Sequence, residues 1–81
     1  MTEDDIRNTI FQSLKKIAPE TEPDKLNPDD NIRQVLGIDS FDYLNFIVTL
    51  DEQLGVQTPE EDYGKVESLK TLIAYIMSKK K

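Results

Sequence analysis

The apolar positions of this chain repeat with a helical period over most of its length. Ile6, Ile10, Leu14 and Ile17 recur every three or four residues, which predicts one apolar stripe on a helix over residues 2–17, with Phe11 beside it. Thr2 with Asp5 three residues on forms a capping-box pattern, and Glu3, Asp4 and Asp5 suit the positive start of a helix. Lys15 and Lys16 suit its negative end, and Ala18-Pro19 stops it. Leu69, Leu72, Ile73, Ile76 and Met77 make a second clean stripe, on a C-terminal helix capped by Ser68. Lys79, Lys80 and Lys81 read as a solvated tail that complements the dipole of that helix. A third helix, Asp39 to Leu54, has a different character. Phe41, Tyr43, Leu44, Phe46, Ile47, Val48, Leu50 and Leu54 are more apolar positions than a single stripe uses. This helix is therefore expected at the centre, touched from several sides, with Asp39 as its cap and Gly55 as its stop.

Residues 18–38 form a long connection holding Pro19, Pro23 and Pro28. A structureless loop of that length is uncommon in a small domain, so it must be pinned. Leu26, Ile32, Val35, Leu36 and Ile38 are the expected pins. Asp29-Asp30-Asn31 offers caps for a short turn running to Leu36, with Gly37 ending it. Thr58-Pro59-Glu60-Glu61 predicts a short helix: Thr58 caps, Pro59 takes the first turn, Glu61 completes the box and Gly64 ends it. No stretch alternates with the period of two that marks a strand. The expectation is an all-α fold, a small four-helix bundle of three longer helices and one short one, with a long loop between the first and second. All of 1–81 is read as one domain.

Composition narrows what such a bundle can do. The chain has no Cys, no His and no Trp. A Ser-His or Cys-His nucleophilic pair and an ordinary structural zinc site are therefore excluded. Net charge is −6, and between Glu20 and Asp62 twelve acids face only two bases, Lys25 and Arg33. That charge disfavours nucleic acid, whose phosphates need neutralising, and favours cationic protein partners. The acids between Asp51 and Asp62 do not form an EF-hand, because Val56 stands where Gly is required and the twelfth position is Asp62, not Glu. No basic and apolar leader opens the chain and no apolar run reaches a membrane span, so a soluble cytoplasmic protein is expected; separately, it is read as a monomer.

One stretch remains, Gly37-Ile38-Asp39-Ser40-Phe41-Asp42. Ser40 falls in the first turn of the central helix, just after its cap. Backbone amides and the helix dipole there favour an anion, so a phosphodiester on that hydroxyl is well placed. Asp39 and Asp42 argue against tight binding of a free phosphate and suit contacts with basic residues of a visiting enzyme. With no base nearby, Ser40 is a poor nucleophile by itself. An enzyme that brings its own base can still modify it. Taken alone, Ser at a helix start is also ordinary capping chemistry.

Gly37-Ile38-Asp39-Ser40-Phe41 resembles the Gly-x-Asp-Ser-Leu signature of acyl carrier proteins. The resemblance spans nearly the whole chain, including the long loop, the apolar helix ending in Leu54-Gly55-Val56, the Thr58-Pro59-Glu60-Glu61-Asp62 stretch and the final helix. It implies a 4′-phosphopantetheine arm on Ser40, whose terminal thiol holds acyl groups as thioesters for fatty-acid, polyketide or specialised lipid synthesis. It implies no catalysis by the chain itself. The partners it implies are a phosphopantetheinyl transferase and acyl-loading and acyl-processing enzymes with basic docking patches. The absence of Cys and His is then natural, since the arm brings the thiol and the partners bring the catalysis. Asp39, Phe41, Asp42, Asn45, Asp51 and Glu52 are the implied partner-facing residues. Phe41 stands where Leu is usual, and Asn45 where many members place Glu. Tyr43 and Tyr63 fall where fatty-acid carriers have smaller residues near the acyl pocket, and Ile47, Leu50, Val66 and Leu72 complete the candidate lining. Two phenol rings would narrow that space, so a short or unusual acyl group, or a long one left exposed, is expected. The other reading of the two tyrosines puts both at the surface with their hydroxyls in water. Two other functions compete: an aminoacyl or peptidyl carrier, and a non-carrier helical adaptor that binds proteins through its acidic face.

Overall fold

The structure, a computed structural model, describes residues 2–80; Lys81, the last of the basic tail, lies outside them. Helix α1 (Glu3–Ile17) starts with the predicted capping box. The Asp5 amide donates to Thr2 Oγ1 and the Thr2 amide to Asp5 Oδ2, each at 3.1 Å. Those bonds to Thr2 hold the Asp5 carboxyl below its usual range. A 3-10 turn (Pro23–Lys25) and helices α2 (Ile32–Leu36) and α3 (Ser40–Leu54) follow, then a 3-10 helix (Glu60–Lys65) and helix α4 (Leu69–Lys79). Among the described residues there is no strand, only an isolated antiparallel bridge between Asn31 and Ser68. The fold is the all-α bundle expected. Ile6, Ile10 and Leu14 of α1 meet Phe46, Ile47 and Leu50 of α3 and Leu72, Ile73 and Ile76 of α4 in one apolar core.

The long connection is pinned, though differently from expectation. Leu26, Ile32 and Ile38 are buried as predicted, and Leu36 packs partly against the core. Val35 is not a pin: it is 53% exposed, and Ala18 and Pro23 are buried instead. Helix α2 has only five residues, so its core-facing stripe is satisfied by Ile32 and Leu36, leaving Val35 on the water side. Asn31 Oδ1 accepts from the Gln34 amide at 3.1 Å to cap this helix, and Gly37 closes it at φ 69°, a left-handed conformation that glycine adopts without a Cβ penalty. Backbone bonds complete the pinning. The Ile32 amide donates to Glu67 O and the Lys70 amide to Pro28 O, both at 2.8 Å. The connection is thus laced to Glu67 and to the first turn of α4.

The short helix predicted from Thr58 is corrected by the structure. It is a 3-10 helix that begins at Glu60 behind Pro59, has no side-chain cap, and runs through Gly64 to Lys65. Thr58 is engaged elsewhere. Its hydroxyl donates to Asp51 Oδ1 and its amide to Asp51 Oδ2, each at 2.9 Å. Held there, Thr58 stands two residues before the helix starts, and its hydroxyl accepts from no amide of that turn. Gly64 is not a left-handed stop; positive φ is confined to Gly37 and Gly55 among the described residues.

Candidate functional site

The turn before α3 is built by three neighbours. Gly37 turns the chain, Ile38 is buried as an anchor, and Asp39 caps α3 with its Oδ1 accepting from the Asp42 amide at 2.8 Å. Ser40 is then the first residue of α3 and stands exposed. Its hydroxyl makes no hydrogen bond among the described residues. Because Asp39 takes the Asp42 amide, the Ser40 and Phe41 amides are the first-turn donors left without an intrahelical acceptor. An unengaged hydroxyl at the positive end of a fifteen-residue helix fits a phosphodiester-linked group.

Helix α3 is two-faced rather than covered on several sides. Tyr43, Phe46, Ile47, Leu50 and Leu54 are buried. Phe41 is 69% exposed, Leu44 40% and Val48 45%. These three are spaced to form one stripe running down the helix from Ser40. Leu44 and Val48 were missed as functional candidates from sequence. The signal was the surplus of apolar positions, which could equally have meant burial. Exposed Asn45 and Glu52 share this outer side with Phe41, and Asp42 is half-buried at its start. Asp51 differs from the other partner-facing candidates because both its oxygens hold Thr58. Asp51→Ala strands the buried Thr58 amide and hydroxyl, so a loss of about 2 kcal/mol is expected. Thermal unfolding should register it as a fall of roughly 8–16 °C.

The six acyl-pocket candidates separate. Ile47, Leu50, Val66 and Leu72 lie within the packed core. Tyr43 is buried too, 4% exposed, with its ring centroid 5.8 Å from that of Phe46 and its hydroxyl donating to Val66 O. The reading that puts both hydroxyls in water therefore fails for Tyr43, which bolts α3 to the segment before α4. Tyr63 is half-buried and lines an open hollow of about 560 Å³ with Val48, Asp51, Val56, Pro59 and Lys79. Tyr75, not a candidate from sequence, donates to Asp62 Oδ2 at 2.7 Å while Lys79 Nζ sits 5.3 Å from its ring centroid.

All three phenols are raised above their ordinary value of 10.0. Burial is the main cause at Tyr43, and the nearby Glu67 carboxylate adds to it while Arg33 opposes it. Burial and the Asp62 carboxylate push Tyr75 up to about 12. The folded state thus keeps protons that unfolded tyrosines release near pH 10. This contribution to stability is whole below that pH and declines as pH rises through the folded values. In an alkaline titration of the folded protein, tyrosinate absorbance is expected to rise above pH 10, later than for unfolded tyrosines. A transition centred near pH 10 with helicity intact would contradict it.

A small helical bundle that offers a free hydroxyl at a helix start, with an open apolar stripe beside it, has the geometry of a protein that other proteins visit. Comparison with known proteins gives that geometry a family. Residues 8–76 match the model of the phosphopantetheine attachment site. An acyl carrier protein of Chlorobium luteolum is 31% identical over 80 residues, covering 98% of this chain and all 100% of that protein. One of Campylobacter hominis is 29% identical over 70 residues, covering 83% and 89%. Among solved structures, the acyl carrier protein of Enterococcus faecalis superposes with a TM-score of 0.75 at 26% identity, covering 98% and 99%. A solution structure from Anaplasma phagocytophilum reaches 0.84 at 23% identity, covering 100% and 94%, which shows the shared fold. The chain belongs to the acyl carrier protein family, carriers whose cofactor is 4′-phosphopantetheine. Membership entails encounters with a phosphopantetheinyl transferase and with the enzymes that use the carried group. No helix among the described residues is long and apolar enough to cross a membrane.

Proposed function

We propose that Ser40 is the residue that receives the 4′-phosphopantetheine arm, and that the outer side of α3 is what each partner enzyme reads. The carrying observation is the exposed, unbonded Ser40 hydroxyl at the first position of α3, immediately after its Asp39 cap. A transferase moves the arm from coenzyme A: an O–P bond forms at Ser40 as the pyrophosphate P–O bond of coenzyme A breaks and adenosine 3′,5′-bisphosphate leaves, and the transferase supplies the base that takes the hydroxyl proton, since the chain has no His or Cys to do so. When attached, the arm supplies a terminal thiol that holds an acyl group as a thioester. This chain's own residues do the rest. The free amides at the start of α3 favour the negative phosphodiester. Asp39, Asp42 and Glu52 attract basic docking patches, giving fast, salt-sensitive encounter. Phe41, Leu44 and Val48 supply the apolar contact once charges have brought the partners together. Residues 1–81 act as one non-catalytic carrier domain, monomeric and cytoplasmic, serving fatty-acid, polyketide or specialised lipid synthesis.

The cargo is a short acyl group, or a longer one left outside the bundle. Ile47, Leu50, Val66 and Leu72 are packed side chain to side chain, and Tyr43 fastens that region shut. The reading as a whole is tested by incubating the protein with coenzyme A and a phosphopantetheinyl transferase. Intact mass is expected to rise by one arm, and peptide mapping to place it on Ser40. A protein that gains no mass would instead be a helical adaptor.

A further inference from the structure

The apolar stripe of α3 does not stop at Val48. Val48 is also a wall of the open hollow of about 560 Å³ that it shares with Val56, Pro59 and Tyr63. Glu52, a further lining residue, stands four positions after Val48, as Val48 stands four after Leu44. The hollow therefore continues the surface that α3 presents to visitors. Its walls are accessible: Val48, Glu52 and Pro59 are exposed and Tyr63 is half-buried. Val48 lies eight residues from Ser40, about 12 Å along the helix axis. A partner of standard size covers about 800 Å², a disc of about 16 Å radius. An enzyme that acts on Ser40 and lies along the stripe thus covers the hollow as well.

The charges around this hollow are mostly negative. Glu52 has no ion-pair partner among the described residues. Burial, then the nearby carboxylates of Asp51 and Glu60, raise the Tyr63 phenol, so two further negative charges act at its ring. Lys79 is the one cation in the lining, and its Nζ is turned to the Tyr75 ring, 5.3 Å from the centroid. This chemistry selects its occupant. An anionic group is repelled. A purely aliphatic side chain would desolvate the Glu52 carboxylate without pairing it. A lysine ammonium is a compact, strongly hydrated charge. A guanidinium is flat and weakly hydrated, stacks on an aromatic face and pairs with a carboxylate through two N–H groups. We propose that this hollow is the socket for an arginine side chain of the transferase, with the stem along Val48 and Pro59, the guanidinium on the Tyr63 ring and Glu52 as counter-ion. The inference rests on the outer side of α3 as the docking surface. It adds Tyr63 as a residue that tells one partner from another by what its ring can hold.

The test begins with the wild-type protein without its arm, isotope-labelled at Phe and Tyr rings. It is titrated with a phosphopantetheinyl transferase in the absence of coenzyme A, so that docking is seen without transfer. The Phe41 and Tyr63 ring signals are expected to shift together. In loading kinetics, Tyr63→Leu keeps apolar bulk but loses the aromatic face. It is expected to raise the transferase KM about fivefold with kcat little changed, while Tyr63→Phe stays within about twofold of wild type. Glu52→Gln should raise KM as well, and the Tyr63→Leu, Glu52→Gln pair by less than the product of the single effects, since one guanidinium serves both. A Phe41 signal that shifts while Tyr63 stays still overturns the socket and leaves the α3 reading standing, and this result needs no variant. Equal KM in Tyr63→Leu and Tyr63→Phe overturns it too, as does simple multiplication of the two single effects. A wild-type protein that gains no arm overturns the carrier reading first and this inference with it.

Discussion

Ser40→Ala is expected to fold as the wild type does and to take up no arm. The hydroxyl is exposed, makes no hydrogen bond among the described residues, and contributes nothing to the core. The cap of α3 belongs to Asp39, whose bond to the Asp42 amide survives the change. Alanine is the best helix former, so stability should stay within about 0.5 kcal/mol of wild type. Loading, by contrast, falls from complete to none, because the bond to phosphorus has no oxygen to form on. Asp39→Ala reverses the pattern. It loses the cap, a destabilisation of about 1 kcal/mol, yet keeps the hydroxyl and so keeps the modification. Intact mass and thermal unfolding on the two variants check both statements. A full mass gain in Ser40→Ala would move the attachment to another hydroxyl.

How much of this was legible in the sequence depends on the range of the interaction. Local devices read directly. The caps at Thr2, Asn31, Asp39 and Ser68 and the left-handed stops at Gly37 and Gly55 each depend on residues within a turn of one another. Stripes at helical spacing gave α1 and α4. The errors came where a distant partner decided the outcome. Thr58 has the residue type of a cap, but Asp51, seven residues away, holds both its amide and its hydroxyl, and the next helix starts two residues on without a side-chain cap. Tyr43 could not be assigned to core or surface without Val66, 23 residues on, whose carbonyl accepts its hydrogen bond. The lacing of Ile32 to Glu67 and of Lys70 to Pro28 uses backbone groups, which carry no sequence signal. Helix α3 failed differently. Its apolar surplus was seen, but hydropathy does not say whether an apolar side chain is covered by its own fold or left for another protein.

That last distinction predicts opposite results for two phenylalanines on the same helix. Phe46 is fully buried, with its ring tilted against Tyr43 in the core shared with α1 and α4. Phe46→Ala removes a large side chain and leaves a cavity, so a loss of about 3–5 kcal/mol is expected. A domain this small has about 5–10 kcal/mol in total, and the variant should sit near the edge of unfolding at ambient temperature. Phe41, five positions earlier, is 69% exposed. Phe41→Ala should leave the urea midpoint almost unmoved, within about 0.5 kcal/mol. Its effect appears when a partner covers the ring. Burying a Phe side chain contributes about 1.5–3 kcal/mol, so the transferase KM should rise about tenfold or more while arm uptake still reaches completion. If Phe41→Ala leaves that KM unchanged, the partner reads another surface. If Phe46→Ala unfolds at the wild-type urea concentration, the core is repacking around the gap. The pairing follows from what a carrier must do. Its stripe has to stay exposed and uncommitted for many visitors, so the helix that displays it must draw its packing stability from the opposite face.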